Sequence, residues 1–324
     1  MKFDWKKIKK PILGLSPMAD MTDGAYSKIV RGVVNEKIAN SGLVIFREMI
    51  SAEAIVRENE KTEEMAVIDD VERPVIQQIF GADPKVMTEA AKIIERKFKP
   101  DGIDINMGCP VYKMTSNFNG AALMKDPKLA AEIVSAVKNA VSIPVSVKIR
   151  AGWSDPTECI EFAKIIENAG ADLISVHGRT QKQVYTGKTN REVVARVKET
   201  VSIPVLYNGD IFSWQDYFEA LKETKCDGAL IARGALGNPW IFSQIEQMST
   251  NIKPDKIILP DRVVIVLKHL DLHLKQYGEN KVSTFRKHLS WYFKGITNFK
   301  KYKQQIMTTN NRDELEKILK EIAS

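Results

Sequence analysis

The sequence predicts an α/β chain: a (β/α)8 TIM barrel followed by a small C-terminal all-helical domain. Three observations carry that expectation. Short β-branched runs alternate with amphipathic stretches through most of the chain. One segment of this alternation recurs almost unchanged further on. After Trp240 the alternation stops and the charge balance shifts.

The strand-like runs are Ile12–Met18, Leu43–Arg47, Val75–Phe80, Gly102–Asn106, Val145–Arg150, Leu173–His177, Val205–Asn208 and Ala229–Ala232. Amphipathic stretches between them include Pro84–Lys97, Pro127–Ala140, Thr157–Ala169 and Trp214–Lys225. Such alternation argues for parallel βαβ units, and eight runs fit a closed barrel better than an open sheet. No GxGxxG opens a helix, which counts against a dinucleotide-binding fold. The segment Val137–Val145 recurs as Val197–Val205, a shift of 60 residues, or two βα units of about 30 residues each. Pro144 and Pro204 fall at strand starts, where a missing N–H does little harm.

At 324 residues the chain suits one barrel of ~250 residues plus a small extra domain. The expected division is a catalytic barrel over 1–246 and a basic helical domain over 247–324, with helices at Asp261–Tyr277, Val282–Phe299 and Arg312–Ile322. From Gln247 to Ser324 there are 15 Lys+Arg against 8 Asp+Glu, so the whole net charge of +7 lies there and the barrel is neutral. A basic appendage suits a polyanionic partner or a solvated helical face. No apolar run approaches the ~20 residues of a membrane span. Met1–Lys10 is basic without an apolar h-region, so no signal peptide is read there. The three cysteines lie far apart without a CxxC pair, which suggests neither zinc knuckle nor disulfide framework and fits a reducing cytoplasm.

In such a barrel, functional residues sit at the C-terminal strand ends. Those ends read Ser16-Pro17-Met18-Ala19, Gln78, Asn106-Met107-Gly108-Cys109-Pro110, Lys148 and Arg150, His177-Gly178-Arg179, Asn208-Gly209-Asp210, and Ala232-Arg233-Gly234. Lys148 lies inside an apolar run, where a lysine either snorkels or meets a partner. His177 ends another apolar run and is followed by Gly178-Arg179, which opens the chain to a ligand. The segments at 208–210 and 232–234 end the seventh and eighth strands, where barrels commonly bind phosphate through loop N–H groups and a short extra helix; Asn238-Pro239-Trp240 is the candidate helix start. Cys109, between Gly108 and Pro110, sits in a shaped loop. An ordinary thiol has a pKa of ~8.5, is mostly protonated at neutral pH and can act as a general acid.

The segments Ser16–Asp23, Asp104–Pro110, Gly120–Met124, Val147–Trp153, His177–Thr180 and Asn208–Ile211 together resemble the bacterial tRNA-dihydrouridine synthases, most closely the B-like branch. The resemblance runs from about Pro11 to Phe242 and continues weakly beyond. It implies one FMN per chain, reduced by NADPH. It places Pro17, Met18 and Ala19 along the isoalloxazine, Gln78 and Lys148 on its polar edge, and His177 beside the ring. It gives Asn208, Gly209, Asp210, Ala232 and Arg233 to the phosphate end, and Asn106 and Arg179 to the uracil. Hydride would go to C6 and a proton from Cys109 to C5, on a uridine taken out of its stack. Two positions depart from the family pattern: Ser116 where Lys is common, and Ala232 where Gly is usual. Small-molecule FMN enzymes of the dihydroorotate dehydrogenase type share the barrel and an Asn-x-x-Cys-Pro-like motif. A small substrate has no need of the basic tail.

The tail therefore supplies the expected RNA contacts. Arg286 and Lys287 lead, with Lys281, Lys294, Lys300, Lys301 and Lys303 in support, and tRNA or rRNA is the expected partner. Trp291, Tyr292 and Phe293 are interleaved with these cations and read as packing aromatics.

Overall fold

Eight runs of buried residues pair in chain order, each parallel to the next, and the eighth closes on the first. The computed structural model describes residues 3–36, 41–296 and 299–323, the side chain of Lys300 excepted, so that candidate lies outside the described residues. The strands are β1 (Ile12–Leu15), β2 (Leu43–Ser51), β3 (Val75–Phe80), β4 (Gly102–Met107), β5 (Val145–Gly152), β6 (Leu173–Thr180), β7 (Val205–Asn208) and β8 (Gly228–Ile231). The TIM barrel is thus present with every expected strand in its expected place. The helices in order are α1 (Gly24–Asn35), α2 (Ala52–Val56), α3 (Glu60–Ala66), α4 (Pro84–Lys97), α5 (Tyr112–Thr115), α6 (Pro127–Ala140), α7 (Glu158–Asn168), α8 (Arg191–Thr200), α9 (Trp214–Thr224), α10 (Trp240–Ser249), α11 (Leu259–Tyr277), α12 (Val282–Tyr292), α13 (Phe299–Thr308) and α14 (Arg312–Ala323).

The repeated segment has a structural cause. In each copy a serine and an isoleucine just before the strand are held by one glutamate oxygen of an earlier helix. Glu95 accepts from the Ser142 and Ile143 N–H groups, and Glu167 from those of Ser202 and Ile203. The first strand N–H is then taken by an aspartate before the next strand. Val145 N–H donates to Asp172 and Val205 N–H to Asp227, and Lys138 and Lys198 pair with the same two carboxylates. Strand starts, whose N–H groups precede the ladder, are satisfied this way twice in the same geometry.

The floor of the barrel is apolar. Trp5, Ile12, Val44, Phe46, Ile76, Leu173, Leu206 and Leu230 form one buried cluster, with Trp5 stacked on Phe46 at 6.0 Å. The basic opening segment therefore contributes a plug, which its charge pattern conceals. Beside β2, Arg47 and Glu72 form a fully buried pair at 2.7 Å, and Arg47 also donates to the Met65 carbonyl. Removing one partner strands the other charge. Glu72→Ala is expected to cost about 3–5 kcal/mol in denaturant unfolding; a loss under about 1 kcal/mol would show the pair to be dispensable.

By packing, the chain divides into Met1–Thr22 with Gly42–Arg233, and Asp23–Ser41 with Gly234–Ser324. The second unit thus includes α1 and begins at Gly234, where the sequence places a boundary between 246 and 247, inside α10. The reason is apolar surface: Ile29 and Val33 of α1 and Trp240 of α10 belong to the core formed by Val266, Leu270, Phe285, Leu289, Tyr292, Phe293, Ile306, Leu315 and Leu319. The helix expected over Val282–Phe299 ends at Tyr292, and Gly295 follows with φ +79°, a conformation that glycine permits and a helix does not. The further helix α13 has no counterpart among the expected elements. Tyr292 and Phe293 are buried in the core, as packing aromatics should be.

Candidate active site at the barrel mouth

Register sets the site. Asn106 of β4 lies opposite Lys148 of β5, Arg150 opposite His177 of β6, and His177 opposite Asn208 of β7. One layer lower, Gln78, Asp104 and Ser146 lie side by side. Residues paired across neighbouring strands share a face and strand faces alternate, so all of these point the same way, towards the barrel interior. All but the half-buried Lys148 are buried.

Asp104 is the anchor of the lower layer. It accepts from Ser146 and from Gln78, both at 2.6 Å, and burial pushes its carboxyl up to about 6. Gln78 passes the polarity upward by accepting from Asn106 Nδ2 at 2.8 Å. Asn106 Oδ1 in turn accepts from the N–H groups of Gly108 and Cys109, at 3.1 and 2.9 Å. Asn106 thereby fixes the turn that carries Cys109.

Arg150 holds the same turn from the other side. Its Nε donates to the Gly108 carbonyl at 2.7 Å, and Nη1 donates to the carbonyls of Thr180 and Val184. It thus ties the Cys109 turn to the end of β6. The sequence places Arg150 at a strand end without a task; its position two residues after Lys148, on the same face, was the available signal. A third restraint comes from Gly120. Ala121 N–H donates to the Cys109 carbonyl, and a Cβ at Gly120 would lie 2.8 Å from that oxygen at φ +61°. The loop between them folds back onto Cys109 and tolerates only glycine at that point.

The charges are tuned by burial. Desolvation first, and then the nearby Arg150, pull the Lys148 ammonium down to about 8. Lys148 Nζ donates to Asn208 Oδ1 at 3.1 Å; its other two donors meet no acceptor among the described residues. Burial, then Lys148 and three arginines, hold His177 well below the usual imidazole value, so it is neutral. Burial raises the Cys109 thiol above its ordinary value, although the Val111 N–H, Arg150 and Lys148 oppose this. The thiol therefore keeps its proton at neutral pH.

After β7 the chain turns through Gly209 at φ +139° and Asp210 at φ +42°. A Cβ on Gly209 would lie 2.3 Å from Thr189 Cγ2, so the close approach needs glycine. Asn208 is fixed by donating to the Leu230 carbonyl. Arg233 donates to Asp210 and lies 5.0 Å from the Tyr185 ring and 5.7 Å from Phe212. Ala232 is half-buried just beyond β8, as Pro17 and Met18 are beyond β1, whereas Ala19 is exposed.

Two expected ligand residues have other tasks. Arg179 is buried, pairs with both oxygens of Asp210 at 3.0 and 2.7 Å, and donates to the carbonyls of Thr186 and Gly187. Its donors are committed to Asp210 and to the loop after β6. Arg286 donates to the carbonyls of Thr308 and Thr309 and to Asn310 at the end of α13. It closes a helix end, whose last carbonyls otherwise lack partners. Lys287 has no such task. Arg286→Ala is accordingly expected to destabilise the helical unit by about 1–3 kcal/mol, measured by thermal unfolding. An unchanged midpoint would return Arg286 to the surface cations.

A closed parallel barrel with a polar, cation-rich mouth at its C-terminal strand ends is the arrangement of a TIM-barrel enzyme. The chain belongs to the dihydrouridine synthase family, a family of oxidoreductases: the family model described as Dihydrouridine synthase (Dus) matches residues 14–324. It is 36% identical over 300 residues to a probable tRNA-dihydrouridine synthase of Rickettsia bellii, covering 92% of this chain and 90% of that one. It is equally 36% identical over 302 residues to tRNA-dihydrouridine synthase B of Pseudomonas aeruginosa, covering 92% and 89%. Among solved structures, histamine dehydrogenase from Rhizobium sp. 4-9 superposes with a TM-score of 0.57 at 13% identity, over 80% of this chain and 48% of that one. That likeness is one of fold, and this chain spans about half of that protein's length. Among the described residues no helix is long and apolar enough to cross a membrane.

Proposed function

We propose that the chain is an FMN- and NADPH-dependent tRNA-dihydrouridine synthase with Cys109 as the proton donor. The observation that carries this reading is the presentation of one protonated thiol at the barrel mouth by Asn106 and Arg150, beside the cation Lys148 and the neutral His177. The residues suit FMN. A half-buried ammonium with two uncommitted donors matches the polar edge of an isoalloxazine, and the half-buried Pro17 and Met18 offer it an apolar wall. The backbone at Gly209, Asp210 and Ala232, with Arg233, offers N–H groups and a guanidinium to a phosphate. The chemistry that bound FMN supplies is two-electron reduction of the uracil C5=C6 bond, with NADPH as the source of the electrons.

The chain's own residues do the rest. Lys148 stabilises negative charge at the reduced edge of the cofactor site. His177, being neutral, adds no competing charge. Gln78 and Asp104 hold Asn106, Asn106 holds Cys109, and the thiol delivers its proton to C5. The target uridine reaches them only when flipped out of its stack. Residues 247–324 supply the tRNA contacts, through Lys281, Lys287, Lys294, Lys301 and Lys303 rather than Arg286. Each phosphate neutralised adds ~0.7–0.9 to the slope of log affinity against log salt. Replacing Lys287 and Lys294 with Ala is expected to flatten that slope by about one to two units while flavin content stays intact. An unchanged slope would remove α12 and the turn that follows it from the RNA face. The whole reading is tested by purifying the protein: it should be yellow, and NADPH should bleach it. Colourless protein that takes up no added FMN would sink it.

A further inference from the structure

The chain holds only four histidines, and three of them, His269, His273 and His288, lie together in the helical unit on α11 and α12. Two of these three converge with the aspartate that starts α1. One ligand atom each from Asp23, His273 and His288 lie within 4.8 Å of one another. All three side chains are buried, at 0%, 1% and 2% exposure. Two features of the group are unusual for a protein core.

The first is the orphaned imidazole nitrogens. His273 Nε2 faces Thr284 Oγ1 at 2.8 Å, and the Thr284 hydroxyl donates onward to the Lys281 carbonyl. The hydroxyl hydrogen is therefore committed, so Nε2 must carry the ring proton of His273 and donate it to Thr284. That leaves Nδ1 as a bare lone pair, and it is buried without a partner. His288 Nε2 is buried and unpartnered too. Buried polar atoms are rarely left in this state.

The second is the carboxylate. Asp23 accepts from the Tyr26 N–H at 2.8 Å and the Tyr277 hydroxyl at 3.0 Å. Among the described residues no lysine or arginine pairs with it. A buried charge is normally paired or bound to a metal. The His273 lone pair, the unpartnered His288 nitrogen and the Asp23 carboxylate belong to one buried cluster, a donor set that suits a divalent transition ion.

We propose that Asp23, His273 and His288 form a zinc site that ties the start of α1 to α11 and α12. Two imidazoles and a carboxylate are borderline ligands that suit zinc, with water as the fourth. The surrounding bonds are those of a supported site: the His273 ring is oriented by Thr284 through its other nitrogen, and the carboxylate by Tyr277. Bonds of about 2.0–2.1 Å draw the three ligand atoms closer than they now stand, which small rotations of the two rings accomplish. The site is structural, because all three protein ligands lie within the helical unit and none belongs to the barrel mouth.

The test uses the full chain, stripped with a strong chelator and titrated with cobalt(II), whose visible d–d bands report tetrahedral coordination, and then with zinc. Wild-type protein should bind about one ion per chain, develop those bands, lose them to zinc, and gain thermal stability with either ion. His273→Gln and His288→Gln should each abolish the bands. If a variant fails to fold, the wild-type titration with Asp23→Asn still decides the matter. Wild-type protein that binds neither ion and melts at the same temperature with and without zinc overturns the site, leaving the cluster held by water. Binding that survives both glutamine substitutions overturns it equally, because the ion then sits elsewhere.

Discussion

Cys109→Ala is expected to keep its FMN and its tRNA and to lose turnover by roughly 10²–10⁴-fold, the usual weight of a positioned general acid. The binding functions survive because the side chain is small and the turn that carries it does not depend on the thiol. That turn is held by backbone atoms: Asn106 takes the Cys109 N–H, Ala121 donates to the Cys109 carbonyl, and Arg150 takes the neighbouring Gly108 carbonyl. Alanine keeps every one of those bonds. The proton is lost, together with the thiol's interaction with the Val111 N–H. Reduction of the bound flavin by NADPH, which needs no proton from this thiol, should continue at its normal rate. Stopped-flow absorbance separates that step from dihydrouridine formation in tRNA. A variant that forms dihydrouridine near the normal rate would take the acid role from Cys109.

Lys148→Met is expected to lower turnover by about 10²–10³-fold, the cost of removing one preorganised donor from a charge that develops during reaction. The pH profile makes the attribution specific. Burial and Arg150 pull the Lys148 ammonium down to about 8, whereas burial raises the Cys109 thiol. As pH rises, the first of the two to lose its proton is therefore Lys148. Wild-type activity should fall on the alkaline side near pH 8, while the thiol is still protonated. In Lys148→Met that limb should disappear from the residual activity, leaving a later loss that belongs to Cys109. A wild-type-like limb in the variant would mean that another group titrates there.

The barrel was legible because parallel strands are buried on both faces and read as unbroken apolar runs. Val75–Phe80 and Val205–Asn208 were bounded by Pro and Gly and came out with their observed limits. The extensions of β2 to Ser51 and of β6 to Thr180 were not legible, because Glu48 and Arg179 interrupt the apolar runs. Site residues on a shared inward face, such as Lys148, His177 and Asn208, followed from strand ends alone. What the strand ends did not reveal was pairing across sequence. Arg179 and Asp210 are 31 residues apart and Arg286 and Thr309 are 23 apart, and nothing local to either arginine announces the partner that occupies it. The same limit hid α1 in the helical unit, because nothing local to Ile29 and Val33 announces the helices that they pack against. The break after Tyr292 is a different case, since Gly295 was there to be read.

The proposed reaction is the reduction of uridine in tRNA with a proton from Cys109. The most direct measurement incubates FMN-loaded protein and NADPH with unmodified tRNA transcripts and then digests the RNA to nucleosides for mass spectrometry. Wild-type protein should yield dihydrouridine, which contains two more hydrogens than uridine. In deuterated water the hydrogen that C5 gains, which comes from the exchangeable thiol, should be deuterium. Protein that carries FMN and oxidises NADPH, yet leaves every uridine unreduced across a full set of tRNAs, would contradict the account.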